Sequence, residues 1–599
     1  MMDHIHSKKI QLAVLPFRNI SSGPEMDFFS DGISEEIIFA LARIDELKVI
    51  SRSSSFQFKG QQAPIKEIAE RLGVNLILEG SIRIRNEALR ISAQLIQAAD
   101  DTYLWSETWD RKLENLFAIQ DEISLLIADQ IREHTGHLSI SDHLVETPTS
   151  NLDAYQHFLK GRFHFNQWNP EDIQIAIREF ESAVALDDTM IDSHVGLADA
   201  YSFMAVAGFA PREIAWTKAI HAMNTAREID PDHAGLNYML ANQAFFTEAD
   251  FLKSKKCALK ALATAPTFEH AHRFLSFLFI LEGDAAESKK HLLYAKSIDP
   301  LNPETLFYEA FYGYRMGEYQ ASLDILDQLL KENPANLPAL VISLYVKIKL
   351  KRLGEAQQQI EETAEEVFTP DERVGLLCLI EVSRKDVQLD HLAELETKAK
   401  DPAAHHAHAY LFMVYVILGK FQQAIDILQK LFEHQSSILL LTFSNPLADQ
   451  IHRHPSYQDL HRKVYPALSI APPKAVPKSP KPDETTIQRD LAKLGRFMES
   501  EQPFLNPALS LRLLASSLDI HPNHLSWLLN QVIGKNYNEY INHKRIEHFK
   551  QLSKDPSNAH ISLIGLAYES GFNSKSVFNT AFKKEVGMTP REYQRAQLS

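Results

Sequence analysis

The sequence predicts a multidomain chain with three folds in series: an N-terminal α/β module, an all-α superhelix of repeated helix pairs, and a C-terminal all-α domain built on two helix-turn-helix frames. Three observations predict it. Strand-like and helix-like segments alternate over the first 135 residues. Prolines recur through the middle with a period near 34 residues. Two helix-break-helix patterns of apolar residues, joined by one long helical stretch, fill the C-terminal end. At 599 residues the chain exceeds what one core organises, so three or more domains are expected. Its 45% apolar and 23% charged residues are those of a globular protein in water.

The α/β module is expected over residues 8–135. A polar start, Met1 to Lys9, lacks the apolar stretch of a secretory signal and leads into a strand-like run, Gln11 to Phe17. A helix is expected around Asp27 to Ile44, a strand at Lys48 to Ser51, a helix around Ile65 to Leu72, strands at Asn75 to Ile84 and Ala88 to Ala98, and a closing helix from Leu113. Asp27, Asp31, Glu35 and Glu36 could be paired carboxylates for acid–base chemistry, but they crowd a helix start, where the macrodipole favours acids, and the capping reading is preferred. No Gly-x-x-x-x-Gly-Lys-Ser/Thr or Gly-x-Ser-x-Gly run occurs. Val14-Leu15-Pro16-Phe17, Ser53-Ser54-Ser55-Phe56, Leu78-Glu79-Gly80-Ser81 and Phe117 to Ile123 are among the residues on which this region resembles the TolB-amino-terminal-like module that precedes tetratricopeptide arrays in many bacterial regulators and cyclase-associated proteins. The resemblance implies family membership without a chemistry.

Pro231, Pro266, Pro300 and Pro334 lie 35, 34 and 34 residues apart, three of them in Asp-Pro or Asn-Pro steps at the ends of similar helices. Leu306, Ala310 and Gly313, the turn Gly317-Glu-Tyr319, then Leu326 and Leu329 outline one helix pair, and Gly283-Asp284 and Gly419-Lys420-Phe421 repeat the turn. On these residues, residues 151–465 resemble a tetratricopeptide array, which implies a superhelix with a concave surface for a protein or peptide partner. Its aromatic positions read mostly as packing between helices. Residues 466–486, rich in Pro and Lys, read as an extended spacer.

The first C-terminal frame runs from Leu511 to Leu529, with Pro522 suited to the first position of its second helix. The second runs from Ile564 to Phe582, with Gly571 placed to end one helix in a left-handed turn. Ala515, the run Gly534 to Ile541, Arg545-Ile546, Leu566-Ala567, Gly571-Phe572, Phe578, Phe582-Lys583, Gly587 and Thr589-Pro590 through Tyr593 give residues 487–597 a resemblance to the DNA-binding domain of AraC/XylS transcription regulators. His521 stands where a turn Ser is usual and Leu529 where a Phe is usual. Family correspondence and the outward helical face together select Asn523, Ser526, Trp527 and Asn530, then Ser574, Lys575, Ser576, Asn579 and Thr580, for DNA. Trp527 either meets a thymine methyl or packs on its own domain. Lys583, with Lys584, Arg545 and Lys544, is expected to position phosphates or solvate the surface.

Charge agrees with this division. Net charge is −16, yet residues 487–599 hold 14 Lys and Arg against 10 Asp and Glu, leaving −20 on the preceding residues. That acidic remainder could cover the basic end electrostatically. Cys257 and Cys378 lie in apolar helical patterns without a Cys-x-x-Cys neighbour and read as buried thiols of a reducing compartment. His405-His406-x-His408 is the densest histidine group, but no second cluster completes a metal site, and a solvated helix start is preferred. The expectation is a cytoplasmic, non-enzymatic regulator without metal or cofactor, whose partners are double-stranded promoter DNA and a protein or peptide on the array, with no membrane. Self-association is compatible with it, and a scaffold whose main role is protein–protein interaction is the alternative.

Overall fold

The computed structural model describes residues 9–21, 27–85, 88–112, 116–145, 149–166, 170–206, 210–385, 389–466, 483–558 and 560–598. The expected spacer falls almost entirely outside them. Its last residues belong instead to a helix, Glu484–Ser500, capped by Asp483.

The N-terminal module is one six-stranded sheet: β1 Ile10–Val14, β2 Arg18–Asn19, β3 Leu47–Val49, β4 Leu76–Arg85, β5 Ala88–Gln97 and β6 Thr102–Lys112. β1 lies between β3 and β4, parallel to both, and β4, β5 and β6 continue as an antiparallel meander. Val14 and Leu78 pair in the sheet centre, where both are fully buried. Gly80 permits the close approach of β5 and Phe17, since a Cβ there would lie 2.4 Å from the Ser92 carbonyl oxygen. β6 was not expected. It is an edge strand of mostly polar, exposed residues in which only Trp109 is buried, so it carries little of the apolar alternation that announces a strand.

The helix Asp27–Ala42 corrects the capping reading. Only Asp27 lies in its first turn. Asp31 and Glu35 are buried further along, Asp31 holding Lys59 at 2.8 Å and Glu35 holding Arg52 and Arg162. Arg162 belongs to the helix Leu152–Phe165, so Glu35 fastens the module to the start of the array, whereas the Asp31–Lys59 pair lies within the module.

The middle is a run of antiparallel helix pairs, including Arg212–Ile229, Phe251–Thr264, Ala285–Ile298 and Tyr319–Glu332 as second members. Each of the four periodic prolines follows directly on such a helix, where the missing N–H costs nothing. One of these turns carries a second load. Asp299, fully buried, accepts hydrogen bonds from the hydroxyls of Ser51, Ser53 and Ser54 and pairs with Arg273 at 2.9 Å. The serine run of the module therefore grips a repeat turn more than two hundred residues away. A single apolar core extends from Leu12 in the sheet to Met239 in the array. At the other end, Ser444 and Asn445 bond to Arg315 and Tyr314, and Pro446 accepts from Lys349 at 2.6 Å, so the end of the array folds back along earlier repeats.

Cys378 is buried and Cys257 half-buried, both free thiols. His405, His406 and His408 have protein partners of their own: Ser436, Glu372 and the Ala404 carbonyl. No described helix is long and apolar enough to cross a membrane.

Candidate nucleic-acid interface

In the first frame, Ser510 caps the helix Leu511–Ser517, and Asp519 takes the left-handed conformation (φ +48°) at the turn. His521, standing where a turn serine is usual, still caps the helix, because its Nδ1 accepts the Asn523 N–H at 3.2 Å. Pro522 opens the recognition helix Pro522–Trp527, which continues through a π-helical turn, Leu528–Ile533, and stops at Gly534 (φ +77°). Asn536 and Glu539 then form a reciprocal capping box that starts the linking helix Tyr537–Lys554. Its 18 residues span about 27 Å at 1.5 Å per residue.

The second frame consists of Leu563–Glu569 and the recognition helix Lys575–Val586, followed by Pro590–Leu598. Between the first two, Gly571 has φ +91° and presses against the first frame, where a Cβ would lie 2.2 Å from the Phe504 carbonyl oxygen. Each frame has its own core: Leu494, Leu511, Leu514, Leu525, Leu529 and Tyr537 in the first, and Ile546, Phe549, Leu566, Phe572, Phe578 and Phe582 in the second.

Arg545 serves this junction rather than the surface. It is buried, donates from Nε to the Phe504 carbonyl at 2.8 Å and from Nη2 to the Asn506 carbonyl at 2.9 Å, and lies over the Phe572 ring. Burial lowers its pKa. A phosphate-contacting role is therefore not its place.

The two recognition helices are placed differently. On the second, Lys575, Ser576, Asn579, Thr580 and Lys583 are all exposed, while Phe578 and Phe582 point inward. Ser574 is half-exposed and shares a hydrogen bond of 2.8 Å with Ser576. On the first, Asn523, Ser526 and Asn530 share the face opposite Leu525 and Leu529, as helical spacing dictates. That face is not open. Asn523 Oδ1 accepts from Arg132 at 2.7 Å and its Nδ2 donates to the Ile140 carbonyl at 3.0 Å. Ser526 is fully buried and its hydroxyl makes no hydrogen bond. Asn530 donates to the Ser526 carbonyl and lies beside Gly136. Trp527 is half-exposed and stacks nearly parallel to His524, with ring centroids 6.3 Å apart.

Sequence reasoning passed over Arg489, Lys493 and Arg496. They line one depression with Asp490, Asp519 and Ile520 at the first frame's turn, Arg489 already pairing with Asp490 at 2.9 Å, and their spacing of four and three residues on one helix was the signal that could have found them.

Two family models match the chain. Residues 514–596 match the one described as a helix-turn-helix domain, and residues 7–126 match the second domain of HilA/YgeH-like transcriptional regulators. The C-terminal region is a helix-turn-helix domain of the AraC type. The HTH-type transcriptional regulator YijO of Escherichia coli (strain K12) is 34% identical over 88 residues, 15% of this chain and 30% of that protein. A protein of Rhizobium meliloti (strain 1021) provisionally named adenylate cyclase 3 is 35% identical over 192 residues, 32% of each chain. The chain thus spans about a third of the length of these relatives. A tetratricopeptide repeat protein from Parabacteroides merdae ATCC 43184 superposes on 44% of this chain and 98% of its own, with 11% identity and a TM-score of 0.30. The helix-turn-helix domain is thereby joined in one chain to an α/β module of the kind found in transcriptional regulators.

Proposed function

We propose that the chain is a transcription regulator that binds promoter DNA sequence-specifically through its AraC-type domain, while the array and the α/β module receive a signal or a protein partner. The observation that carries this reading is the exposed row Lys575, Ser576, Asn579, Thr580 and Lys583, on a helix whose opposite face is anchored in an aromatic core. Asn pairs with adenine and Lys with guanine edges in a major groove, and Ser and Thr accept either. Ser574 stands at the start of the same helix, and the matching set on the first helix is Asn523, Ser526, Trp527 and Asn530. A linking helix of about 27 Å suits two recognition helices set near one DNA turn apart, about 34 Å. Lys583, Arg489, Lys493 and Arg496 are assigned to phosphates, which position the domain without reading sequence.

The division into 8–135, 151–465, 466–486 and 487–597 belongs to this reading, as does a cytoplasmic, non-enzymatic role. The cyclase-named relative shares only 32% of its length with this chain. The alternative, a scaffold with idle DNA-binding frames, draws on the protein-covered face of the first recognition helix.

The test is selection from a random duplex library at moderate salt, with the full chain and with residues 483–599, a fragment that carries both of its own cores. One bipartite motif is expected, bound at least about 10³-fold tighter than random DNA. Enrichment of no motif by either form would refute the regulator and leave the scaffold.

A further inference from the structure

The face of the first recognition helix is covered by one continuous piece of the α/β module, the end of the helix Leu116–Thr135 and the residues after it up to Asp142. Arg132 and the Ile140 backbone engage both ends of the Asn523 amide, and Gly136 lies beside the Asn530 side chain. Around this centre lie contacts of another kind. Asp129 pairs with Arg512, Glu133 Oε1 accepts the Leu511 N–H at 2.7 Å, and Asn536 donates to the His134 carbonyl at 3.2 Å.

These two layers correspond to the two layers of a helix-turn-helix complex. In such complexes the first helix of the frame meets the DNA backbone, and the recognition helix fills the major groove. Here the carboxylates of Asp129 and Glu133 take donors at the start of the first helix, as phosphate oxygens would, and Arg132 with residues 136 to 140 takes the base-reading side chains. A groove about 12 Å wide is filled by one helix, so DNA and this segment cannot occupy the face together.

We infer that the α/β module is an intramolecular competitor of DNA: its residues 129 to 142 seat on the first recognition helix and leave only the second free to read bases. This inference rests on the DNA-binding reading above and specifies how that site is regulated. The contact has the make-up of a separable interface. It is built from ion pairs and hydrogen bonds rather than from a shared apolar core, and each frame of the DNA-binding domain retains its own core without it. The opposite net charges of the two parts draw them together: +4 on residues 487–599, against 15 Lys and Arg and 20 Asp and Glu, or −5, on residues 8–135.

The experiment uses the full chain and its D129K/E133K variant. Both substitutions lie on the module, and both place a cation opposite Arg512 and the start of its helix. Hydrogen exchange reports the contact without DNA: backbone protection over residues 511–536 and 129–142 should fall in the variant, with the array helices unchanged. On the duplex selected by the fragment, the variant should bind roughly tenfold or more tighter than the wild-type chain, in line with the coupling of close interfacial charge pairs. Asn523→Ala then gives a test of sign. It should leave wild-type binding unchanged or improve it, because Asn523 there holds the module, and should weaken binding in the open variant, where Asn523 reaches DNA. Equal binding by wild type and variant, or loss of binding on Asn523→Ala in both backgrounds, overturns the inference while leaving the regulator intact. Failure of every form, fragment included, to select a duplex removes both.

Discussion

Gly571→Ala is the sharpest test of how the two frames are held together. At φ +91° an alanine pays the left-handed penalty, about 1–2 kcal/mol. Its Cβ would also lie 2.2 Å from the Phe504 carbonyl oxygen, 2.9 Å from the Leu505 Cα and 3.1 Å from the Arg545 Nε, so the backbone of 504–505 must retreat. That carbonyl is the acceptor of the buried Arg545 at 2.8 Å, and a hydrogen bond to a charged group is worth about 1.5–3 kcal/mol. Together the terms come to about 3–5 kcal/mol, a large part of a domain stability of about 5–15 kcal/mol. In urea denaturation of residues 483–599, an m-value near 2 kcal/mol/M would lower the midpoint by about 2 M. Gly587→Ala is the internal control. Its φ is +79° but nothing lies within 4 Å of the added Cβ, so it should cost only the left-handed term, about 1–2 kcal/mol. Equal losses from the two substitutions would refute the argument that Gly571 and Arg545 form the hinge-pin between frames.

Three further outcomes are expected. Asn579→Ala and Lys575→Ala should each cost about 1–3 kcal/mol on the selected duplex and relax preference at one position, whereas Lys583→Ala should weaken all sequences alike and make the salt slope shallower by about one; equal, sequence-independent losses from all three would contradict the roles. Glu133, pushed up to about 7 by burial and by the neighbouring Asp129 carboxylate, against the lowering effect of the Leu511 N–H and Arg132, should make the masking contact pH-dependent. An acid whose docked pKa exceeds its ordinary 4.5 supports docking fully below 4.5 and loses that support as pH rises through 7, so exchange protection of residues 511–536 should decline from pH 5 to 7.5 in the wild type and stay level in E133Q; parallel profiles would assign the effect to another group. Asp299→Ala strips the acceptor shared by three serine hydroxyls and the buried Arg273, a loss of about 3–5 kcal/mol, and should lower the unfolding temperature of the full chain; an unchanged midpoint would show that the serine grip adds nothing.

Much of the architecture was legible because its causes are local. Pro231, Pro266, Pro300 and Pro334 mark helix ends wherever the chain goes, since a missing N–H and a fixed φ act within one turn. Asn536 with Glu539, Pro522, and Gly571 with Gly587 announce helix starts and stops for the same reason. The exposed side of Lys575–Val586 followed from Phe578 and Phe582 at helical spacing. Where the local signal was weak, the reading failed: β6 is a polar edge strand whose pairing with β5 supplies what its sequence lacks.

What tertiary structure alone decided lies between residues far apart in the chain. By pattern, Asp31 and Glu35 were helix-start acids and Arg545 a surface cation; each is buried because an arginine, a lysine or a carbonyl from a distant element meets it there. Ser53 and Ser54 were motif residues without a task until Asp299 arrived beside them. Asn523, Ser526 and Asn530 have the spacing of a base-reading face, and that much the sequence by itself determines. Whether the face is open depends on Arg132 and Ile140, almost four hundred residues away, and no periodicity or cap within a helix carries that information. Helical spacing sets which side chains share a face, whereas the packing of separately folded parts decides what that face meets.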